Sequence, residues 1–393
     1  MDKPTPKTGL IATGLAMFSM FFGAGNIVFP LDLGLYAQSQ NLFAILGMLI
    51  TAVGVPFVGL ISITLFNGNY KQFFERIGVV PGFILMTAIM GLIGPFGAIP
   101  RCITLSFATM SVYLPNLSLP LFSIVSCVLI YLLTFRKTNI VDILGYFLTP
   151  FLIFSLIVII IKGLMTGPAI PESSHSFLDI FSKGLLEGYQ TMDLLGAFFF
   201  SSIVLNCLES DADAINPNEH KNYRKMIMLT LKASVIGVVL LSLTYIGFSY
   251  TAAIHSESLA GIPKDELLAK IAILILGPYA GIIACVAAAL ACLTTAIALA
   301  AVFAEFVHND VTQGKVNYNT AIILTLIVSF FVSTLHFTGI AQFLTPILQI
   351  SYPALILLSI LNIAYKLFHF KPVKAPFFTV FAVSLFAWLY NAF

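Results

Sequence analysis

Charge is what this sequence of 393 residues has least of: aspartate, glutamate, lysine and arginine together make up 9%. A soluble globular domain carries roughly 25%. That shortage excludes a soluble enzyme, a nucleic-acid-binding protein and a secreted scaffold. The five cysteines (Cys102, Cys127, Cys207, Cys285 and Cys292) all fall inside apolar runs, with neither metal-ligand spacing nor a paired-loop pattern. They read as buried small hydrophobes. No Gly-x-x-x-x-Gly-Lys-Ser/Thr loop occurs, so direct ATP drive by this chain is not expected. There is no Ser/His or metal cluster on one face, as an intramembrane lipid-modifying enzyme would need. Nor is there a filter or charge ring of the kind a channel carries.

What the sequence does have is hydrocarbon. Apolar residues make up 59%, about 232 of them, and a membrane-spanning helix uses about 20. The ceiling is therefore near a dozen spans. Hydropathy resolves eleven, at 10–37, 42–66, 80–107, 119–135, 141–164, 180–208, 226–253, 279–305, 318–336, 340–367 and 376–392. The stretch 266–305 is too long for one helix. Gly277-Pro278 cuts it, leaving Glu266–Leu276 as a separate helix in or above the outer interface. The first apolar run is too long for a signal-peptide core and is kept as a span.

Lysine and arginine set the expected orientation. With the N-terminus inside, thirteen of them fall in the cytoplasm, including Lys71, Arg76, Lys366 and Lys371, against Lys162, Lys183, Lys264 and Lys270 outside. The positive-inside bias favours that arrangement, with the C-terminus outside.

Two polar interruptions stand out. Span one reads Phe21-Phe22-Gly23-Ala24-Gly25-Asn26-Ile27-Val28-Phe29-Pro30, and span six reads Glu187-Gly188-Tyr189-Gln190-Thr191-Met192-Asp193-Leu194-Leu195-Gly196. Irregular backbone at membrane depth is tolerated only where it lines a cavity or is buried in protein. Spans one and six lie five apart, an odd number, so the second half has inverted topology. Broken helices at matching positions of inverted halves point to a transporter's binding site. The fold class expected is an all-α polytopic membrane protein with a 5+5 inverted repeat. The chain is read as one integral membrane domain (1–393), with repeats at 9–165 and 177–367 and an additional helix at 375–393.

The first interruption, with Ile99-Pro100-Arg101, Leu186–Asp193 and Leu290-Ala291-Cys292-Leu293-Thr294-Thr295-Ala296-Ile297, resembles the branched-chain amino acid–cation symporters of bacteria, within the wider superfamily that has the leucine-transporter fold. The resemblance implies a secondary active transporter in the bacterial inner membrane, not an enzyme, with discontinuous helices one and six. It implies import of Leu, Ile and Val by symport with sodium; the alternatives are Met or Thr as substrate and a proton as the coupling ion. Members of that family usually have twelve spans; with eleven resolved here, the last is expected to be missing. No cofactor beyond the coupling ion and no nucleic-acid partner is expected; membrane lipid surrounds the chain.

A zwitterionic substrate specifies what the site must offer. Its carboxylate suits amides at a half-helix start, and Gly23, Ala24, Gly25 and Asn26 supply one. Its ammonium suits the oxygens of Tyr189, Gln190, Thr191 and Asp193. The same glycines also suit a plain kink for close helix packing. Ala291, Thr294 and Thr295 share one helical face, continued by the small residues Ala284, Ala287, Ala288 and Ala298. By resemblance to the superfamily's sodium site, the carbonyls of Ser19 and Phe22 meet the Ala291 carbonyl and both hydroxyls. Asp193 has three readings: second cation site, ammonium partner or proton carrier. Asp32 and Arg101 are expected to pair as an outer gate, or Arg101 simply snorkels. Met86, Ile89, Met90, Phe198 and Phe199 are the expected walls for an aliphatic side chain. Glu209, Asp211 and Asp213 read as a solvated loop, and the scattered histidines carry no assignment.

Overall fold

The computed structural model describes residues 10–135, 140–201 and 223–392, which are helical with no strand among them. Span one is split into α1 (Leu10–Phe21) and α2 (Ala24–Ala37). Span two is α3 (Asn41–Leu49) and α4 (Val55–Leu65), joined by a π-helical turn over Ile50–Gly54. The short α5 (Tyr70–Glu75) leads to span three, formed by α6 (Val79–Ile93) and α7 (Ala98–Ser111). Spans four and five are α8 (Leu119–Phe135) and α9 (Ile140–Thr166). Span six is split into α10 (Phe177–Gln190) and α11 (193–201). Span seven is α12 (Tyr223–Ile254), followed by α13 (Ser256–Leu259) and α14 (Leu267–Leu276). Spans eight to eleven are α15 (Pro278–Phe306), α16 (Tyr318–Ser333), α17 (His336–Phe368) and α18 (Lys374–Ala392).

Among the described residues, five helical stretches are long and apolar enough to cross a membrane, and four more are shorter apolar helices. The stretch Ala24–Leu65 counts as one of the five at 42 residues. A 30 Å hydrocarbon core takes about 20 residues, so it cannot be a single span. The chain turns at Gln38 (φ 48°), and α3 folds back against α2.

Each break has a local cause. At Gly23 the backbone is extended (φ −113°, ψ −167°), which ends α1 and starts α2. In span six Met192 takes a left-handed φ of 63°, which helical geometry does not allow. Span three is also broken, at Gly94-Pro95-Phe96-Gly97, and this corrects the expectation of one continuous helix over 80–107. Pro95 has no N–H to donate and its ring crowds the preceding turn. The π-helical turn of span two runs up to Pro56 for the same reason: Val55 N–H reaches back to Ile50 O. The cut at Gly277-Pro278 falls where expected, with Gly277 at φ 81°. The helix before it starts at Leu267, and Leu268, Ala269, Ala272 and Ile275 form its buried stripe.

Small residues let the helices close up. A Cβ at Gly184 of α10 would lie 2.1 Å from the Ala44 carbonyl of α3. On α15, Ala284, Ala287, Ala288 and Ala291 are buried, while Ala298 is only half-buried. Charge is sorted to two ends. At one end Lys71 pairs with Asp310, Arg76 stacks 3.6 Å from the Tyr365 ring centroid, and Lys366 lies 4.3 Å from that of Phe66. At the other, Lys264 pairs with Asp32 at 2.5 Å, Lys183 pairs with Glu187 at 2.6 Å, and Lys264 approaches Glu187 at 3.8 Å.

Candidate functional site

Residues at or beside the breaks of spans one, three and six line one cavity. Its polar wall is Gly23, Ala24, Gly25, Asn26, Arg101, Thr191, Asp193 and Thr295. Its apolar wall is Met20, Phe21, Ile93, Phe200 and Leu299, with Cys102 and Met192 between. Helices α2 and α11 both begin at this cavity, so two positive dipole ends are turned toward it.

Asn26 ties the first break to the sixth. Its Oδ1 accepts the Gly23 N–H at 3.0 Å, and so finishes the start of α2. Its Nδ2 donates to both carboxylate oxygens of Asp193, at 3.0 and 2.8 Å, and to the Tyr245 hydroxyl. Tyr245 in turn donates to Asp193 Oδ2 at 2.9 Å. Asp193 is 4% exposed, and these donors are neutral, so its charge is hydrogen-bonded but not neutralised by them. The Ala24 N–H meets the Cys102 sulfur, a weak acceptor.

A second chain of bonds holds the end of α10. Arg101 donates from Nη1 to the Gln190 carbonyl at 2.7 Å and from Nη2 to Gln190 Oε1 at 2.9 Å. Gln190 Nε2 then donates to Thr345 Oγ1 on α17 at 2.8 Å. The expected Asp32–Arg101 pair is therefore corrected. Arg101 sits in the first turn of α7 and is turned into the protein, whereas Asp32 pairs with Lys264. The break at Gly94–Gly97 moves Arg101 inward from the span end where a continuous helix would put it.

Other expected residues are distributed as follows. Gln190 lies behind the cavity wall, bound by Arg101 and Thr345, and Tyr189 packs on Tyr352 with ring centroids 4.6 Å apart. Thr294 and Thr295 both donate to the Ala291 carbonyl, at 2.9 and 3.0 Å. Thr295 reaches the first break: its Cγ2 lies 3.6 Å from an ideal Cβ at Gly23. Ser19 is half-buried in the last turn of α1, and Phe22 is buried against Phe18. The expected side-chain walls are corrected too. Phe198 packs on Phe73, and Phe199 on Tyr70 and Phe74. Phe200 takes the cavity position because it stands seven residues after Asp193, two turns along the same face. Met86, Ile89 and Met90 are buried in the core, and Ile93 lines the cavity. The acidic run Glu209, Asp211 and Asp213 lies outside the described residues. No group of three His, Cys, Asp or Glu that could hold a metal occurs among the described residues.

The model of one family, described as branched-chain amino acid transport protein, matches residues 6–392. This chain belongs to that family. Its relatives include the branched-chain amino acid permease BrnQ of Bacillus subtilis, 31% identical over 98% of this chain and 88% of the permease. The permease BraB of the same organism is 28% identical over 94% of this chain and 82% of its own length. Family members are named as permeases and carriers, and the chain is a multi-pass membrane transporter rather than an enzyme. Two solved structures share its fold at 12% identity. One is an inward-facing conformation of Mhp1 (TM-score 0.52; 91% of this chain and 77% of that one). The other is the manganese transporter of Eremococcus coleocola (TM-score 0.54; 97% and 85%). The fold is the leucine-transporter fold, with discontinuous helices one and six.

Proposed function

We propose that this transporter imports leucine, isoleucine and valine by symport with sodium across the bacterial inner membrane. The N-terminus is then cytoplasmic, the C-terminus outside, and the repeats run over 9–165 and 177–367. The observation that carries the reading is the single cavity shared by two half-helix starts, a carboxylate and an apolar wall. The amides of Ala24 and Gly25 suit the substrate's carboxylate, and the Met20, Phe21, Ile93, Phe200 and Leu299 surface suits an aliphatic side chain.

Sodium takes hard oxygens. Ser19 stands in the last turn of α1 and Phe22 just past its end, so their carbonyls lie at the first break. Thr295 lies beside the same break. Replacing Thr294 and Thr295 together by alanine is expected to raise the sodium concentration for half-maximal uptake at least about tenfold, or about 1.4 kcal/mol. Leucine affinity at saturating sodium should change little. Titrating sodium in the variant checks this, and an unchanged sodium requirement removes both threonines from the ion site.

The second reading, proton coupling, draws on Asp193, a buried carboxylate on the cavity wall. Leucine uptake into proteoliposomes under an imposed sodium or proton gradient separates the two. Competition by Ile, Val, Met and Thr ranks the substrates. Accumulation under the sodium gradient alone is expected, and uptake indifferent to both gradients sinks the symport reading.

A further inference from the structure

Arg101 carries a charge with no ion pair of its own among the described residues, and Glu187 acts on it only from beyond ion-pair distance. It is 2% exposed and lines the cavity, and no carboxylate lies within ion-pair distance of it among the described residues. The acids near the Asp32 end are taken by lysines, Asp32 by Lys264 and Glu187 by Lys183 and Lys264. The groups in direct contact with the guanidinium are neutral. Two bonds go to Gln190, one contact reaches the Met192 sulfur at 3.5 Å, and the rings of Phe29 and Phe337 lie 5.2 and 5.6 Å away. Its Nε is buried with no acceptor. A buried charge left unpaired is costly by several kcal/mol unless something else supplies the opposite sign.

We infer that the substrate's carboxylate supplies it, and that Arg101 is the charged half of the carboxylate site opposite the first turn of α2. The inference rests on the reading of an amino acid as substrate. It goes beyond that reading by naming the group that makes the site demand an acid rather than an amide or an alcohol. The guanidinium also caps the C-terminal carbonyl of α10. That cap and the side-chain bond to Gln190 Oε1 account for Nη1 and Nη2 but leave Nε unused, and they ask for donors, not a buried charge. The contact to Gln190 would make binding of a carboxylate felt at the span-six break, since the same guanidinium touches both.

The test compares leucine with leucinamide, which keeps the ammonium and side chain and replaces the carboxylate by a neutral amide. Binding of tritiated leucine to the full chain in nanodiscs is competed with each compound. The wild type is expected to prefer leucine by about 100-fold or more. Arg101→Met should bring the two within about threefold of each other. Arg101→Lys, which keeps a charge but not the planar fork, should weaken leucine at least about tenfold while leucinamide changes little. A purely structural cap would weaken both compounds alike, so retention of the wild-type leucine-to-leucinamide ratio in either variant overturns the inference. Where Arg101→Met yields no folded protein, Arg101→Lys decides alone, and unchanged leucine binding in it is the overturning result. A wild type that binds no leucine removes the amino-acid reading instead, and the inference with it.

Discussion

Asp193→Asn is expected to lower leucine accumulation in proteoliposomes at least about 100-fold, equivalent to about 2.7 kcal/mol. The size follows from geometry that cannot adjust. Asparagine keeps the shape of aspartate but turns one acceptor into a donor. In the native arrangement both carboxylate oxygens receive hydrogens, from Asn26 Nδ2 at 3.0 and 2.8 Å and from Tyr245 at 2.9 Å. The new amide would point a hydrogen at one of these donors. Asn26 cannot flip to accept it, because its Oδ1 is committed to the Gly23 N–H at 3.0 Å, which starts α2. A hydrogen bond to a charged group is worth about 1.5–3 kcal/mol. Losing one and adding a donor–donor contact therefore strains both breaks at once. Tyr245→Phe removes one donor and leaves the other two bonds, so a loss of about tenfold is expected.

The same residues allow a test of what Asp193 does chemically. Combining Asn26→Asp with Asp193→Asn restores a donor–acceptor match between the two side chains and moves the charge from span six to span one. Recovery of transport in the swap would make Asp193 a positioning residue. Continued loss of transport with normal folding ties function to a charge at position 193, where a substrate ammonium, a cation or a proton would meet it. Repeating the sodium and proton gradients on Tyr245→Phe adds the remaining discrimination, since a weakened hold on Asp193 shifts ion dependence only if Asp193 serves the ion.

What could be read from the sequence was set by how membranes penalise polarity. Gly23–Asn26 and Thr191–Asp193 are conspicuous because polar, glycine-rich runs at mid-span are rare, and both line the cavity. The third break was missed although Gly94-Pro95-Phe96-Gly97 is present in the sequence. Its signal is only proline and glycine in an apolar run, which membrane helices often tolerate. A continuous helix over 80–107 would put Arg101 near a span end; the break turns it into the protein. Tyr245 and Thr345 carried no signal at all. A tyrosine or threonine within a span gives no sign of its partner, and both reach the site from other spans. The side-chain walls failed for a smaller reason. Phe198, Phe199 and Phe200 are consecutive, and only the start of α11 at residue 193 determines which of them faces inward.

The two glycines of the first break should respond very differently to alanine. At Gly23 the backbone (φ −113°, ψ −167°) suits any residue, and a Cβ would meet the Thr295 methyl at 3.6 Å, an ordinary contact. Gly23→Ala is expected to fold and retain transport within about threefold, with any change confined to the sodium dependence because the new methyl abuts Thr295. At Gly25 a Cβ would lie 3.1 Å from Thr191 Cα and 3.3 Å from both the Gln190 and Thr191 carbonyl oxygens. Those atoms are backbone of the span-six break and cannot rotate away. The two interrupted helices therefore touch through Gly25, and its missing side chain serves their mutual approach more than that of a ligand. Overpacking of this kind costs about 1–3 kcal/mol. Here the strain falls between the two elements that the Asn26–Asp193 bonds join, so Gly25→Ala should reduce transport about 10- to 100-fold. Uptake and thermal stability of both variants in the same membranes check the contrast. Equal behaviour of Gly23→Ala and Gly25→Ala would mean that the two breaks separate during the cycle and that their contact does not limit transport.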